Sequence, residues 1–158
     1  MKRVWFITGA SRGFGRAFTE EAVKRGDKVI ATVRRVPHDD IFKHPSVLTV
    51  VMDVTKTDEV EKSIKEGVDR FGRIDVLINN AGFGFSGAFE ETTDEDLRNL
   101  FETDYFGVVN VTRRVIPLMR KAGKGVILNV SSQGGLMGFS GSSAYCAAKF
   151  AVVGLSDV

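Results

Sequence analysis

The chain has 158 residues, 43% of them hydrophobic and 27% charged, and its 22 basic and 20 acidic side chains leave a net charge of +2. That composition belongs to an ordinary soluble globular domain, and the length fits a single one over residues 1–158. No polybasic run offers a surface to nucleic acid or to an anionic membrane, and the one cysteine, Cys146, excludes an internal disulfide and suits a reducing compartment.

Val4-Trp5-Phe6-Ile7 predicts a buried strand. It is too short for a signal-peptide core or a membrane span, so the expected location is cytoplasmic. Gly13 to Arg25 predicts a helix and Lys28 to Thr32 a second strand. The polar stretch that follows, with Pro37 and Pro45, is too broken for a long helix. It carries His38 and His44 with no cysteine or tight carboxylate cluster beside them, so no metal site is expected. Val47 to Met52 predicts a third strand. Val60, Ile64 and Val68, four apart, mark one face of a helix over Thr57 to Phe71. Val76-Leu77-Ile78 is a fourth strand. Leu97, Leu100, Phe101, Val108, Val111 and Val115 predict a long helix over 93–119, with Thr92-x-x-Glu95 as its capping box and Pro117 at its end. Val126 to Val130 is a fifth strand, and a last helical pattern begins near Ser143. Apolar strands alternating with helices imply an α/β fold of Rossmann type. Its doubly wound parallel sheet has the expected order 3-2-1-4-5, with helices on both faces.

Between the first strand and the first helix stands Thr8-Gly9-Ala10-Ser11-Arg12-Gly13-Phe14-Gly15. Gly9 suits a tight turn out of the strand, Gly13 a close backbone approach to a pyrophosphate, and Gly15 close helix–strand packing. The amides and dipole of the helix N-terminus then face the anion. A glycine-rich connector with no ligand is the other reading. The position at the head of an alternating α/β chain points instead to a dinucleotide. NAD sites of this kind carry an acid at the end of the second strand, for the ribose 2′-hydroxyl. Here that strand runs out into Arg34-Arg35, and Arg12 lies within the turn. Guanidinium groups suit a 2′-phosphate, so NADP(H) is expected over NAD(H). Solvated surface arginines are the alternative, above all for Arg35.

Together with Asn79-Asn80-Ala81-Gly82 and Tyr145-x-x-x-Lys149, these motifs resemble the short-chain dehydrogenase/reductase family. The likeness is to its short, non-extended branch and, among those, to hydroxysteroid- and retinol-dehydrogenase-like members. The matches run in family order from residue 8 to residue 149 and include Asp53, Asn80-Ala81-Gly82 and Ser132. The resemblance implies that Gly9, Ser11, Arg12, Gly13, Phe14 and Gly15 surround the cofactor phosphates, with Arg34 nearby. It implies that Asp53, with Val54 beside it, meets the adenine, and that Asn80, Ala81 and Gly82 line the adenosine side. Taken alone, Asp53 reads as a turn former and Asn-Ala-Gly as a turn signal.

Hydride exchange with a carbonyl needs a proton partner at the oxygen. A free phenol ionises only near about pH 10, and a neighbouring ammonium favours its anion. Four residues along a helix, Lys149 shares a face with Tyr145. Tyr145 is thus the expected acid and base, with Lys149 assisting and also reaching the nicotinamide ribose. The resemblance places Ser132 on the substrate oxygen. An exposed i,i+4 pair and a loop serine are the bland alternatives. One position departs from the family: Asp104 stands where many members carry an asparagine thought to hold a proton-relaying water. An ionised carboxylate accepts hydrogen bonds but donates none, and it adds negative charge near Lys149. Asn110, six residues on, lies about 240° around the helix and does not replace it.

Relatives of this type run to about 250 residues, so the chain reads as C-terminally incomplete, with later strands and the substrate loop outside it. The fifth strand is then expected to be an exposed apolar edge. The resemblance also implies a homo-oligomer formed through the long helix (93–119) and the final helix. The expected substrate is a small alcohol or ketone, with no nucleic-acid and no membrane partner. A non-catalytic dinucleotide-binding scaffold is the alternative from another class.

Overall fold

A computed structural model describes residues 2–157. Five strands, β1 (Val4–Ile7), β2 (Lys28–Val33), β3 (Val47–Val51), β4 (Val76–Asn79) and β5 (Val126–Asn129), form one parallel sheet in the order β3-β2-β1-β4-β5. The α/β doubly wound arrangement and the expected strand order are both present. In register, Phe6 stands opposite Ile30 and Leu77, and Ile7 opposite Ala31 and Ile78.

Successive strand residues point to opposite faces, so a strand covered on both sides must be apolar throughout. Phe6, Ile30 and Leu77 pack with Val60 and Ile64 of α2 (Thr57–Phe71) and with a third helix described below. Ile7, Val29, Ala31 and Ile78 pack on the other face with Ala22 of α1 (Gly13–Lys24) and with Phe42. The stretch after β2 forms only a short 3-10 turn, Asp40–Lys43.

The long helix is interrupted. It comprises α3 (Asp94–Phe101), a π-helical turn over Glu102–Phe106, and α4 (Gly107–Ala122). Its cap is Thr93 rather than Thr92. Thr93 Oγ1 accepts the Asp96 N–H at 3.1 Å and donates to Asp96 Oδ2 at 2.6 Å, while Thr92 Oγ1 turns back to the Ala88 carbonyl. Asp96, three residues beyond, takes the Thr93 hydroxyl rather than its backbone N–H, so the cap is a single side-chain bond and not a reciprocal box. Thr93→Ala is expected to cost about 1 kcal/mol, read as a lowered urea midpoint followed by circular dichroism. Pro117 does not end the helix. It sits inside α4 on an exposed turn, and the helix runs on to Gly123 at φ 68. Val111, Val115 and Met119 continue one buried stripe past the proline. Packing of that stripe outweighs the backbone bond that a proline removes.

Asn79 closes β4 and donates at 2.8 Å to both Thr112 Oγ1 and Asn129 Oδ1, and Asn129 donates to Ser156 Oγ at 2.9 Å. These bonds link β4 to α4, β5 and α5 (Ser143–Ser156). Among the described residues β5 pairs only with β4, and Val126 and Leu128 are 49% and 48% exposed, so the expected apolar edge is present.

Candidate active site

The cleft is built on the C-terminal ends of the parallel strands, where such sheets open between their connections. β1 leads into a turn in which Gly9 (φ 65) and Gly13 (φ 55) adopt left-handed backbone that other residues resist. A Cβ on Gly9 would lie 2.9 Å from Ala81 Cα, whereas one on Gly13 would meet nothing within 4 Å. The absent Gly13 side chain therefore leaves open space over the start of α1. Arg12, the residue before α1, makes no side-chain capping bond, and no acid stands in the first turn. The leading amides of α1 are free to take an anion. Gly15 is buried behind the turn, where a side chain would overlap the Gly9 carbonyl and Asn80.

The fourth-strand motif is fastened to this turn. Thr8 Oγ1 accepts the N–H groups of Asn80 and Ala81, each at 2.9 Å. The Asn80 side chain donates to the carbonyls of Thr8 (2.9 Å) and Gly9 (3.1 Å). Asn80 thus holds the turn in shape, and Ala81 and Gly82 form wall.

A cleft of about 640 Å³ follows, into which Gly9, Ser11, Arg12, Gly13 and Phe14 open on one side. Arg34, Asp53 and Val54 line it at the ends of β2 and β3, and Asn80, Ala81 and Gly82 at the end of β4. Asp104, Tyr145 and Lys149 line its far end. Arg35 is not in the wall. Among the described residues Arg12 and Arg34 form no ion pair, so both guanidinium groups remain available to an anion. Asp53 has both roles open to it: Oδ1 closes a turn with the N–H and hydroxyl of Thr55 at 2.9 and 2.8 Å, and its other oxygen makes no hydrogen bond among the described residues. Asn110 donates to the Val54 carbonyl at 3.1 Å, so its amide is engaged at the end of β3.

At the catalytic end, Lys149 is 6% exposed and Asp104 is fully buried. Lys149 Nζ lies 3.1 Å from Asp104 Oδ2, 3.3 Å from the Val130 carbonyl and 5.7 Å from the centre of the Tyr145 ring. The approach to Oδ2 is off-axis, an ion pair rather than an aligned hydrogen bond. Asp104 Oδ1 accepts the Phe83 N–H at 3.0 Å. Leu100, Asp104 and Val108 are four apart and all buried, so the acid occupies a core position of the helix stripe. That position demands a partner, which Lys149 supplies.

Ser132 lies beside the cleft rather than in its wall. Its backbone is extended, and its Oγ accepts the Gly134 N–H at 3.1 Å. Ser131 lines the cleft, with its hydroxyl committed to the Lys149 carbonyl at 3.3 Å. The hydroxyl proton of Ser132 has no acceptor among the described residues and remains free to donate. Gly134 packs against the Tyr145 ring, with a Cβ there placed 3.3 Å from it.

Sequence reasoning did not single out Thr32, Val33, Met52, Phe83, Thr103, Val130 or Ser131, all of which line the cleft. Thr32, Met52 and Val130 stand at or just beyond strand C-termini, the signal that marks such a wall. Phe83 is fixed there by its backbone amide, which donates to Asp104 Oδ1, a contact that side-chain chemistry does not announce.

The family model described as short chain dehydrogenase matches residues 3–158. The chain belongs to the short-chain dehydrogenase family. The chain is 44% identical to oxidoreductase BOA17 of Botryotinia fuckeliana over 100% of its own length and 59% of the relative's. A solved short-chain dehydrogenase from Streptomyces avermitilis superposes with a TM-score of 0.96 at 45% identity, covering 99% of this chain and 59% of that one. ElxO with NADP bound gives a TM-score of 0.91 at 34% identity, covering 98% and 65%. The chain therefore spans about three-fifths of the length of the relatives it matches. The family is one of oxidoreductases on a dinucleotide-binding fold. Among the described residues no helix is long and apolar enough to cross a membrane.

Proposed function

We propose that this chain is the nucleotide-binding and catalytic portion of an NADP(H)-dependent oxidoreductase interconverting an alcohol with the corresponding ketone or aldehyde. The observation that carries this reading is one cleft with a phosphate-accepting glycine turn at one end and Tyr145 with Lys149 at the other. The pyrophosphate would rest on Gly9, Ser11, Gly13 and the amides of α1. Arg12 and Arg34 would take the 2′-phosphate, Asp53 and Val54 the adenine, and Asn80 to Gly82 the adenosine side. The bound cofactor supplies or accepts the hydride at the carbonyl carbon.

In reduction, Tyr145 donates its hydroxyl proton to the substrate oxygen, and in oxidation its phenolate takes that proton back. Ser132 donates a hydrogen bond to the same oxygen and holds the carbonyl carbon toward the cleft. The Lys149 ammonium stands 5.7 Å from the centre of the Tyr145 ring, one helical turn along the same face. Asp104 and the Val130 carbonyl fix where that ammonium sits.

The buried Asp104–Lys149 pair also favours a second reading, a dinucleotide-binding scaffold in which the lysine is structural. NADPH fluorescence titration beside a panel of carbonyl substrates separates the two: binding without turnover selects the scaffold, and absence of binding overturns both. Exposed Phe106 and Phe150, on the long helix and on α5, support self-association through those elements. The single buried thiol, Cys146, is compatible with a cytosolic setting.

The NADP(H) preference has its own test. Loss of a charge-assisted contact costs about 1.5–3 kcal/mol, so Arg34→Glu should weaken NADPH binding roughly ten- to a hundredfold. NADH binding, followed by the same fluorescence change, should move far less. Equal effects on both nucleotides would remove Arg34 from the 2′-phosphate.

A further inference from the structure

The turn between β3 and α2 is held from several sides, and it leaves one polar atom of Asp53 without a partner. Met52, before it, donates its N–H to the Val33 carbonyl of β2 at 2.9 Å. Val54, after it, is buried, and its carbonyl accepts the Asn110 side-chain amide of α4 at 3.1 Å. The Asp53 carbonyl accepts the Lys56 N–H at 3.0 Å. Asp53 Oδ1 accepts the N–H and the hydroxyl of Thr55 at 2.9 and 2.8 Å. The Asp53 N–H donates to Glu59 Oε2 at 2.7 Å, a short charge-assisted bond. Oδ2 alone makes no hydrogen bond among the described residues, and Asp53 lines the cleft.

The Glu59 bond departs from ordinary helix capping. Glu59 is the third residue of α2, a position from which glutamate commonly returns to the N–H of the cap residue. The cap residue here, Lys56, gives its N–H to the Asp53 carbonyl, and Glu59 reaches three residues further back. Glu59 forms no ion pair among the described residues, so this amide is what its carboxylate holds. The two oxygens of Asp53 belong to one planar group. Fixing the backbone amide and Oδ1 therefore fixes the direction of Oδ2 as well. We infer that Glu59 is a positioning residue of the adenine subsite: its reach to the Asp53 N–H aims the free Asp53 oxygen as an acceptor for an exocyclic amino group. A base carrying a carbonyl oxygen in place of that amino group is then rejected, because two acceptors would face each other. The inference rests on the reading of Asp53 as the adenine contact and adds the residue that makes the contact selective.

The test is a pair of fluorescence titrations, with NADPH and with its hypoxanthine analogue, in which a carbonyl oxygen replaces the adenine amino group. It needs no turnover. The parent chain should bind NADPH at least about tenfold more tightly than the analogue, the scale of a hydrogen bond to a charged group. Glu59→Gln keeps the length and an acceptor oxygen but loses the charge, and should hold that ratio within about twofold of the parent's. Glu59→Asp keeps the charge at the start of α2 but is one carbon too short to reach the Asp53 amide. Its ratio should fall to within about threefold of unity. A role confined to the helix dipole would order the two variants the other way, with Asp above Gln. A Glu59→Asp ratio equal to the parent's, or a Glu59→Gln ratio no higher than that of Glu59→Asp, overturns the role of Glu59 and leaves the Asp53 contact intact. Equal binding of both nucleotides by the parent overturns the Asp53 contact and the inference with it. Absence of binding to either nucleotide does the same.

Discussion

Tyr145→Phe should lower kcat/KM for carbonyl reduction by roughly a hundred- to ten-thousandfold, the range by which a positioned proton donor accelerates such a step. NADPH affinity, read by fluorescence titration, should stay within about twofold. The substitution deletes one oxygen and keeps the ring that packs against Gly134 and faces the Lys149 ammonium. Folding and the cleft wall are therefore conserved, and the loss isolates proton transfer from architecture. A variant that retains turnover would transfer the donor's role to another group or to water.

Asp104 carries the second large effect, on stability. Asp104→Leu leaves the Lys149 ammonium almost wholly buried and without its counterion, and it strands the Phe83 amide. Breaking a buried pair from one side costs about 3–5 kcal/mol, measurable as a shift in the urea unfolding midpoint. Removing both charges, in Asp104→Leu with Lys149→Met, should recover a substantial part of that loss, because the two sites share one interaction. A double variant no more stable than the sum of its singles would show that the pair is not coupled. Asp104→Asn keeps an acceptor for Phe83 and removes only the charge. It should change turnover, because the field of Lys149 then falls more fully on Tyr145. An unaltered rate at every pH would detach Asp104 from the chemistry.

The strands were legible to within a residue because β1, β2 and β4 are covered on both faces and must be continuously apolar. The glycine turn was legible for a related reason: Gly9 and Gly13 need backbone that few other residues tolerate. Asp104 was visible as a departure from the asparagine of the resembled family, but its burial in the helix stripe and the π-helical turn that carries it were not. That turn depends on how α3 and α4 settle on different neighbours. Pro117 misled because local propensity is a small term beside a buried stripe of Val111, Val115 and Met119. Thr92 was mistaken for Thr93 because both have an acid three residues on, and only the backbone path of the preceding turn distinguishes them. Ser131 and Ser132 are alike as letters; Ser132 accepts a local bond from the Gly134 N–H, whereas the Ser131 bond to the Lys149 carbonyl exists only after α5 has docked.

The clasp between Thr8 and Asn80 has a consequence for the order of events in folding. Its four hydrogen bonds join residues more than seventy positions apart in the chain. The first three strands can pair while this contact is still absent, since β2 pairs with β3 and with β1, and β4 joins β1 on its other side. Such a partly assembled chain holds every glycine of the phosphate turn yet lacks the wall that fixes its shape. A nucleotide bound on the turn would then favour, by mass action, the step in which β4 joins β1.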